Sequence, residues 1–152
     1  MNESWMPTLE DIAKAFVDLA ERVDGSDDES LDPYVHQALR DAAFHLELHI
    51  PGIEPSPDPD GARALARAAQ AALDRGAERD ALVRALRGLA CAPHDPNLFY
   101  IAASACFECG SVELALRLLC HTLWIHPGHR AARADLEALS AFLDDSEDTR
   151  AA

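Results

Sequence analysis

The sequence has few of the residues that favour β-strands. Aromatic residues make up 6% of its 152 residues, and Ala, Leu and Arg dominate its second half, where Val, Ile and Thr are sparse. Strands prefer β-branched and aromatic side chains, whereas Ala, Leu and Arg favour helices. A chain of this length can bury a core within one compact domain. We therefore expect an all-α fold in one domain.

Long apolar runs, a basic leader and a dense set of cysteines are also lacking. No run approaches the roughly 18 apolar residues of a membrane-spanning helix, and residues 1 to 6 do not carry the positive charge that begins a secretory signal. The four cysteines do not have the spacing of the disulfide framework of a small secreted protein. We expect a cytoplasmic protein with reduced cysteines and no membrane partner.

Positive charge is scarce. Lys14 is the one lysine, and the formal net charge is −14. Residues 1 to 60 carry 15 acidic and three basic side chains, whereas residues 61 to 143 hold nine Arg and eight acids. A protein of this charge without a basic stripe is repelled by phosphate backbones. We expect no nucleic-acid partner.

Apolar residues recur at three- and four-residue spacing along most of the chain, which is the pattern of amphipathic helices. Thr8 and Asp32 are suited to cap the first two helices, and Pro33 fits a first helical position. Four prolines between Pro51 and Asp60 exclude a continuous helix there. The pattern predicts seven helices, at residues 9 to 23, 33 to 49, 61 to 75, 78 to 91, 96 to 109, 112 to 125 and 129 to 143.

The chain contains an internal repeat. A shift of 34 residues aligns identical residues at positions with different structural roles: Gly76 with Gly110, Ala81 with Ala115, and Pro93 with Pro127. Such a glycine ends one helix with a left-handed cap, the alanine allows close packing of the next helix, and the proline stops it. The sequence thus divides into an acidic helical pair with a proline-rich linker (1 to 60), a repeat module (61 to 143, with repeats at 62 to 95 and 96 to 129) and an acidic tail (144 to 152).

The repeat resembles the tetratricopeptide family, whose period is 34 residues. The match is best in residues 96 to 129, where Phe99 stands in the place of the usual Trp, although Cys106 replaces a Tyr and Thr122 an Ala. The resemblance implies an α-solenoid of stacked antiparallel helix pairs, with residues 129 to 143 as a C-terminal capping helix. A further shift towards the N-terminus matches Pro93 with Pro59 alone, so the N-terminal pair lies outside the period.

The resemblance also implies that a peptide or protein partner binds a concave surface lined by the first helix of each pair. The candidate groove residues are spaced by three or four on these helices: Arg63, Ala66, Gln70, Leu73, Asn97, Tyr100, Ser104 and Phe107. Tyr100 and Phe107 lie two helical turns apart and could hold apolar side chains of a partner, or one of them could belong to the core. Family members that hold a chaperone's terminal carboxylate use Lys and Asn where this chain has Ala66, Gln70, Tyr100 and Ser104, so we expect no such clamp.

Residues 102 to 119, AASACFECGSVELALRLL, are similar to the last repeat of the tetratricopeptide chaperones of type III secretion. That resemblance implies a bacterial chaperone that keeps a membrane-inserting translocator protein soluble. Those chaperones usually have three repeats, whereas this chain has two. The broader expectation is a scaffold or binding protein without catalytic activity.

Two cysteines form a C-x-x-C pattern that could indicate a metal site. Cys106 and Cys109 are followed a dozen residues later by Cys120 and His121, and thiolates and imidazoles are zinc ligands. The pair falls inside a predicted helix, however, and free cysteine is usually a buried apolar residue. We interpret these residues as structural and expect no metal and no cofactor.

The histidines outside that pattern give no catalytic signature. His45 and His49 share a helix face, but Glu47 is misplaced for an H-E-x-x-H zinc site. His126 and His129 are suited to a role at a helix end. The sequence has no phosphate-binding glycine loop and no nucleophile elbow, so we expect no enzyme.

The apolar stripe of the first helix leaves two alternatives open. Its residues are Leu9, Ile12, Phe16, Leu19 and Val23. The stripe can pack on the repeats, or it can pack on a second copy of the chain and form a homodimer.

Overall fold

The chain is all-helical. A computed structural model describes residues 7–26, 30–49 and 56–151, the last six as backbone alone, and within these ranges it contains seven α-helices and no strand. The helices are α1 (Leu9–Asp24), α2 (Pro33–Glu47), α3 (Pro59–Asp74), α4 (Glu78–Cys91), α5 (Pro96–Glu108), α6 (Val112–Ile125) and α7 (Arg130–Ala151). The predicted all-α fold of about seven helices is confirmed. Residues 27 to 29 of the predicted acidic loop, and Pro51 and Pro55 of the linker, lie outside the described residues.

The starts of several helices follow directly from the residues before them. Thr8 accepts a hydrogen bond from the Asp11 amide and its own amide donates to the Asp11 carboxylate, both at 3.1 Å, which is a capping box. Asp32 and Asp95 likewise accept hydrogen bonds from first-turn amides of α2 and α5, and each is followed by a proline at the first helical position.

Three helix boundaries differ from the prediction by two residues or more. α3 begins at Pro59 rather than at residue 61, because Asp58 accepts a hydrogen bond from the Gly61 amide and proline is well suited to a first helical turn. α2 ends at Glu47, two residues early. α7 continues to Ala151 instead of ending at residue 143, since no Gly or Pro interrupts residues 130 to 151. The predicted acidic tail is therefore helical over residues 144 to 151.

The hairpins α3–α4 and α5–α6 have the same turn geometry, 34 residues apart. Gly76 and Gly110 have φ angles of 79° and 87°, and no other described residue has a positive φ. The amide after each glycine donates to the carbonyl five residues earlier, at 2.8 and 2.9 Å, and the glycine's own amide donates to the carbonyl three residues earlier, at 3.0 and 2.9 Å. This pair of bonds is a Schellman cap, and it closes both α3 and α5.

The second helix of each hairpin also begins and ends in the same way. Ala77 and Ser111, which precede α4 and α6, have φ/ψ of −95°/67° and −94°/70°. The residues that end these helices, Ala92 and His126, have −150°/82° and −136°/86°. The 34-residue period is thus present in the backbone as well as in the sequence.

The N-terminal helices lie on one side of the two hairpins. α1 packs along α4, and α2 packs along α6. The apolar stripe of α1 joins the common core, where the Phe16 ring meets the Phe99 ring edge-on at 6.1 Å between centroids. The stripe of α1 thus packs on the repeats of its own chain, which is the first of the two alternatives. Because it is buried there, it does not offer a surface for a homodimer.

Candidate peptide-binding face

Helices α3 and α5 form the side of the hairpins away from α1 and α2. Because α1 and α2 pack on α4 and α6, the described residues leave the outer faces of α3 and α5 uncovered. All eight predicted groove residues belong to these two helices, and each of them is exposed or half-buried. None of the described helices is long and apolar enough to cross a membrane.

A polar cleft of about 440 Å³ lies between α3 and α5. Four predicted groove residues and three carboxylates line it: Gln70, Leu73, Tyr100 and Ser104, with Asp74, Glu78 and Glu108. The carboxylates come from the end of α3, the start of α4 and the end of α5. The cleft is therefore acidic along one edge.

An apolar cleft of about 310 Å³ lies on the other side of α5, against α7. Ala103, Ala115 and Leu119 are buried beneath it, and Phe107 and Leu139 contribute apolar side chains to its lining. Phe107 is 42% exposed, so its ring gives the cleft accessible apolar surface. The two clefts share Ser104 and Glu108, so they form one continuous surface across α5.

Tyr100 connects α5 to α7. Its hydroxyl donates a hydrogen bond of 2.7 Å to the Asp135 carboxylate, and its ring lies 5.0 Å from the His129 ring. Burial and the adjacent Asp135 raise the pKa of Tyr100 to about 12, so the phenol stays protonated and keeps donating. Of the two predicted aromatic groove residues, Tyr100 thus joins the packing of α7, while Phe107 faces the apolar cleft.

The remaining predicted groove residues lie outside the two clefts. Arg63 forms an ion pair with Asp60, one turn earlier on α3. Ala66 packs against the edge of the core. Asn97 lies 3.2 Å from His129, so it contacts the start of α7. These residues border the two clefts, and Arg63 and Asn97 line a separate cavity described below.

The structure does not bring the cysteines and histidines of the C-x-x-C pattern together as ligands. Across the described residues, no three His, Cys, Asp or Glu side chains are placed to share a metal ion. Cys106 is fully buried, and burial raises the pKa of its thiol, which disfavours the thiolate that metals bind. Cys120 is exposed, and His121 is buried against α2.

The other histidines also have local roles. His49 is 3.0 Å from the Pro7 carbonyl and connects the end of α2 to the start of α1. His129 accepts a hydrogen bond of 3.1 Å from the Ala132 amide and so caps α7.

A partly buried polar cluster attaches α2 to α6. Arg117 donates to both carboxylate oxygens of Glu47, at 3.0 and 2.9 Å, and His121 Nδ1 lies 3.1 Å from one of them. The His121 ring is fully buried, with its edge against the Phe99 ring at 4.3 Å and the Trp124 ring stacked at 5.6 Å. These contacts hold α2 and α6 together.

The charges of this cluster depend on pH. Burial alone would raise the pKa of Glu47, but the hydrogen bonds from His121 and Arg117 outweigh it and lower the pKa. Burial lowers the pKa of His121, and this outweighs the opposing effect of Glu47. A group whose pKa is lower in the folded chain than in the unfolded chain stabilises the fold at pH values above its unfolded pKa, and this stabilisation is lost as the pH falls. Both groups therefore favour the fold at neutral pH.

A larger cavity, of about 1020 Å³, lies where α3 and α5 begin, and its lining includes the predicted groove residues Arg63 and Asn97. Residues of α1, the start of α3 and the turn between α4 and α5 line it, together with Ser56. Ser56 is the first residue described after the break at residue 55, so this cavity is bounded by an end of the described chain. Ser104 and Glu108, which line both clefts, do not line this cavity.

The acidic edge was not predicted from the sequence, and residues 129 to 143 were predicted as a capping helix but not as the wall of a cleft. Asp74, Glu78 and Glu108 fall at helix ends, where acids are usually explained by solvation and capping. The 34-residue period did contain the signal for α7, because it places Ala138 in register with Ser104.

Comparison with models of known protein families gives no match, and comparison with curated proteins finds no match either. The tetratricopeptide resemblance therefore stays a prediction from the period and its residues. What the chain binds has to be inferred from its own surface.

Proposed function

We propose that this chain is a non-catalytic protein-interaction module of the tetratricopeptide type, which binds a segment of another protein across α3, α5 and α7. The observation that supports this most is the placement of the N-terminal helices. α1 and α2 pack on the α4 and α6 side, while the opposite side has two adjoining clefts that share Ser104 and Glu108.

The chemistry of these clefts suits a peptide. Their volumes, about 310 and 440 Å³, are of the size that accommodates one or two side chains or a small ligand. Phe107 offers an exposed aromatic surface, and aromatic residues are common among the side chains that dominate binding energy. Cys106 and His121, the thiol and the imidazole considered as ligands from the sequence, are buried away from this face. Binding without catalysis is the function that this arrangement favours.

A selection of displayed random peptides on the immobilised full chain tests the proposal. We expect enrichment of particular peptides, and we expect Phe107→Asp to weaken their binding at least about tenfold by placing a charge in the apolar cleft. Phe44→Asp is the matched control, because Phe44 is a similarly exposed aromatic on α2, on the covered side. No enrichment, or equal loss in both variants, would contradict the proposal.

The narrower hypothesis, in which the bound segment belongs to a type III secretion translocator, stays a prediction from the resemblance of residues 102 to 119. In this structure those residues form the end of α5, the Schellman turn and most of α6. A neighbouring gene for a large protein with apolar membrane-inserting segments is the expected finding, and an unrelated neighbourhood would count against it.

A further inference from the structure

The two clefts that flank α5 differ in chemistry. The α5–α7 cleft is lined mainly by Ala, Leu and Phe side chains, and Phe107 and Leu139 contribute to it. The α3–α5 cleft has three carboxylates at its edge, of which Glu108 also reaches the apolar cleft. A single segment that crosses α5 therefore meets an apolar recess on one side and an acidic one on the other.

The three carboxylates are not neutralised within the described part of the chain. Asp74 accepts a hydrogen bond of 3.0 Å from the amide of Gln70, which carries no charge. Glu78 and Glu108 form no ion pair with any described residue. Their charges are left available to a partner.

The arginines nearest in sequence to this edge are engaged elsewhere. Arg75 pairs with Asp80 at 2.6 Å, and Asp80 also pairs with Arg84 at 3.0 Å. Arg79 donates to the backbone carbonyl of Ser26, in the stretch that follows α1. The edge is therefore acidic even though basic side chains lie on both sides of it in sequence.

From this juxtaposition we propose that the bound segment is basic and amphipathic, with an apolar side chain in the α5–α7 cleft and a Lys or Arg at the α3–α5 carboxylates. The proposal rests on the proposed function and adds the chemistry of the partner. Neighbouring packed helices lie about 8–10 Å apart, so the two clefts are separated by roughly that distance. An extended chain covers it in about three residues, which places the basic residue two to four positions from the apolar one.

The unpaired carboxylates favour a basic segment over an acidic one. Opposite charges across an interface increase the rate of association and select the partner, whereas a like charge placed against them is strongly disfavoured. An acidic segment would bring its charges against carboxylates that already lack cationic neighbours. The apolar cleft adds burial of one large side chain, which charge alone does not provide.

Sequencing of the selected peptides tests this chemistry. We expect the enriched peptides to combine a large apolar residue with Lys or Arg two to four positions away. The best peptide is then measured by fluorescence anisotropy against a cleft variant, Asp74→Asn with Glu78→Gln and Glu108→Gln. We expect its Kd to rise about tenfold, since each exposed ion pair contributes modestly.

A matched variant separates the cleft from the overall charge. Asp18→Asn with Glu21→Gln and Asp41→Asn removes the same number of carboxylates from exposed positions of α1 and α2. A protein with a net charge of −14 attracts basic peptides in general, and this variant reports that effect. We expect it to change the Kd by less than about twofold. Should the cleft variant lose its helical circular dichroism, Glu108→Gln is compared with Glu21→Gln instead.

The outcomes distinguish this inference from the function on which it rests. Enriched peptides without basic residues, or equal losses in the two triple variants, would overturn the basic partner and leave the binding module intact. The absence of any enriched peptide would overturn the binding module and the basic partner together.

Discussion

The two left-handed glycines provide a quantitative test of the structural repeat. Gly76 and Gly110 have φ of 79° and 87°, and a Cβ added at either would meet no atom within 4 Å. Alanine there would be strained by the backbone alone, at a cost of about 1–2 kcal/mol. Alanine also lowers the entropy of the unfolded chain, which offsets about 0.4–1 kcal/mol of this. We expect each substitution to lower the free energy of unfolding by up to about 1.6 kcal/mol.

Urea unfolding followed by circular dichroism measures this change, and each kcal/mol corresponds to about 2–4 °C in Tm for a chain of this size. Gly128→Ala is the control. Its φ is not positive, and the added Cβ would lie at an ordinary 3.6 Å from His126. We expect this variant to be neutral or slightly stabilised. If Gly76→Ala or Gly110→Ala is as stable as Gly128→Ala, the equivalence of the two turns is wrong.

Two further predictions concern the contacts that attach α2 and α7. Glu47→Gln should destabilise the fold by about 1–2 kcal/mol at pH 7, because the carboxylate receives charge-assisted hydrogen bonds. Since its pKa is lowered, the difference from wild type should shrink in urea titrations as the pH falls below its usual value of 4.5; a difference independent of pH would contradict this. Tyr100→Phe removes the bond to Asp135 and should speed hydrogen exchange in residues 130 to 143, whereas Tyr34→Phe, on α2 and without a hydroxyl contact, should not.

The fold could be predicted because its signals are local. Thr8 and Asp32 cap helices whose stripes have helical spacing, and Gly76 and Gly110 mark turns that need a positive φ. These features act within a few residues, so a single sequence contains them. The placement of α1 on α4 and of α2 on α6 was not predictable, because an apolar stripe indicates that it is buried but not against which partner.

The candidate face was predicted in part, for a related reason. Register along α3 and α5 identified Gln70, Leu73, Ser104 and Phe107, since residues at three- and four-residue spacing share a helix face. Glu108 was not among the predicted residues. It lines both clefts because α3 and α7 lie beside α5. Whether a charged side chain is already paired depends on three-dimensional neighbours, and the sequence does not specify them.

The contacts of Glu47 also could not be predicted from the sequence. His121 and Glu47 are separated by 74 residues, and their contact depends on the docking of α2 along α6. From the sequence, the histidine was considered as a possible ligand beside Cys120. In the structure it is a buried side chain that connects two helices: its Nδ1 contacts the Glu47 carboxylate, and its buried Nε2 has no hydrogen-bond partner among the described residues.

The binding face itself is tested most directly by nuclear magnetic resonance. Backbone amide shifts of the full chain are followed while the best selected peptide is added. We expect the largest shifts on α3, α5 and α7, around Leu73, Ser104 and Leu139, with little change on α1 and α2. Largest shifts around Phe44 and Trp124, on the side that α2 and α6 form, would contradict the account.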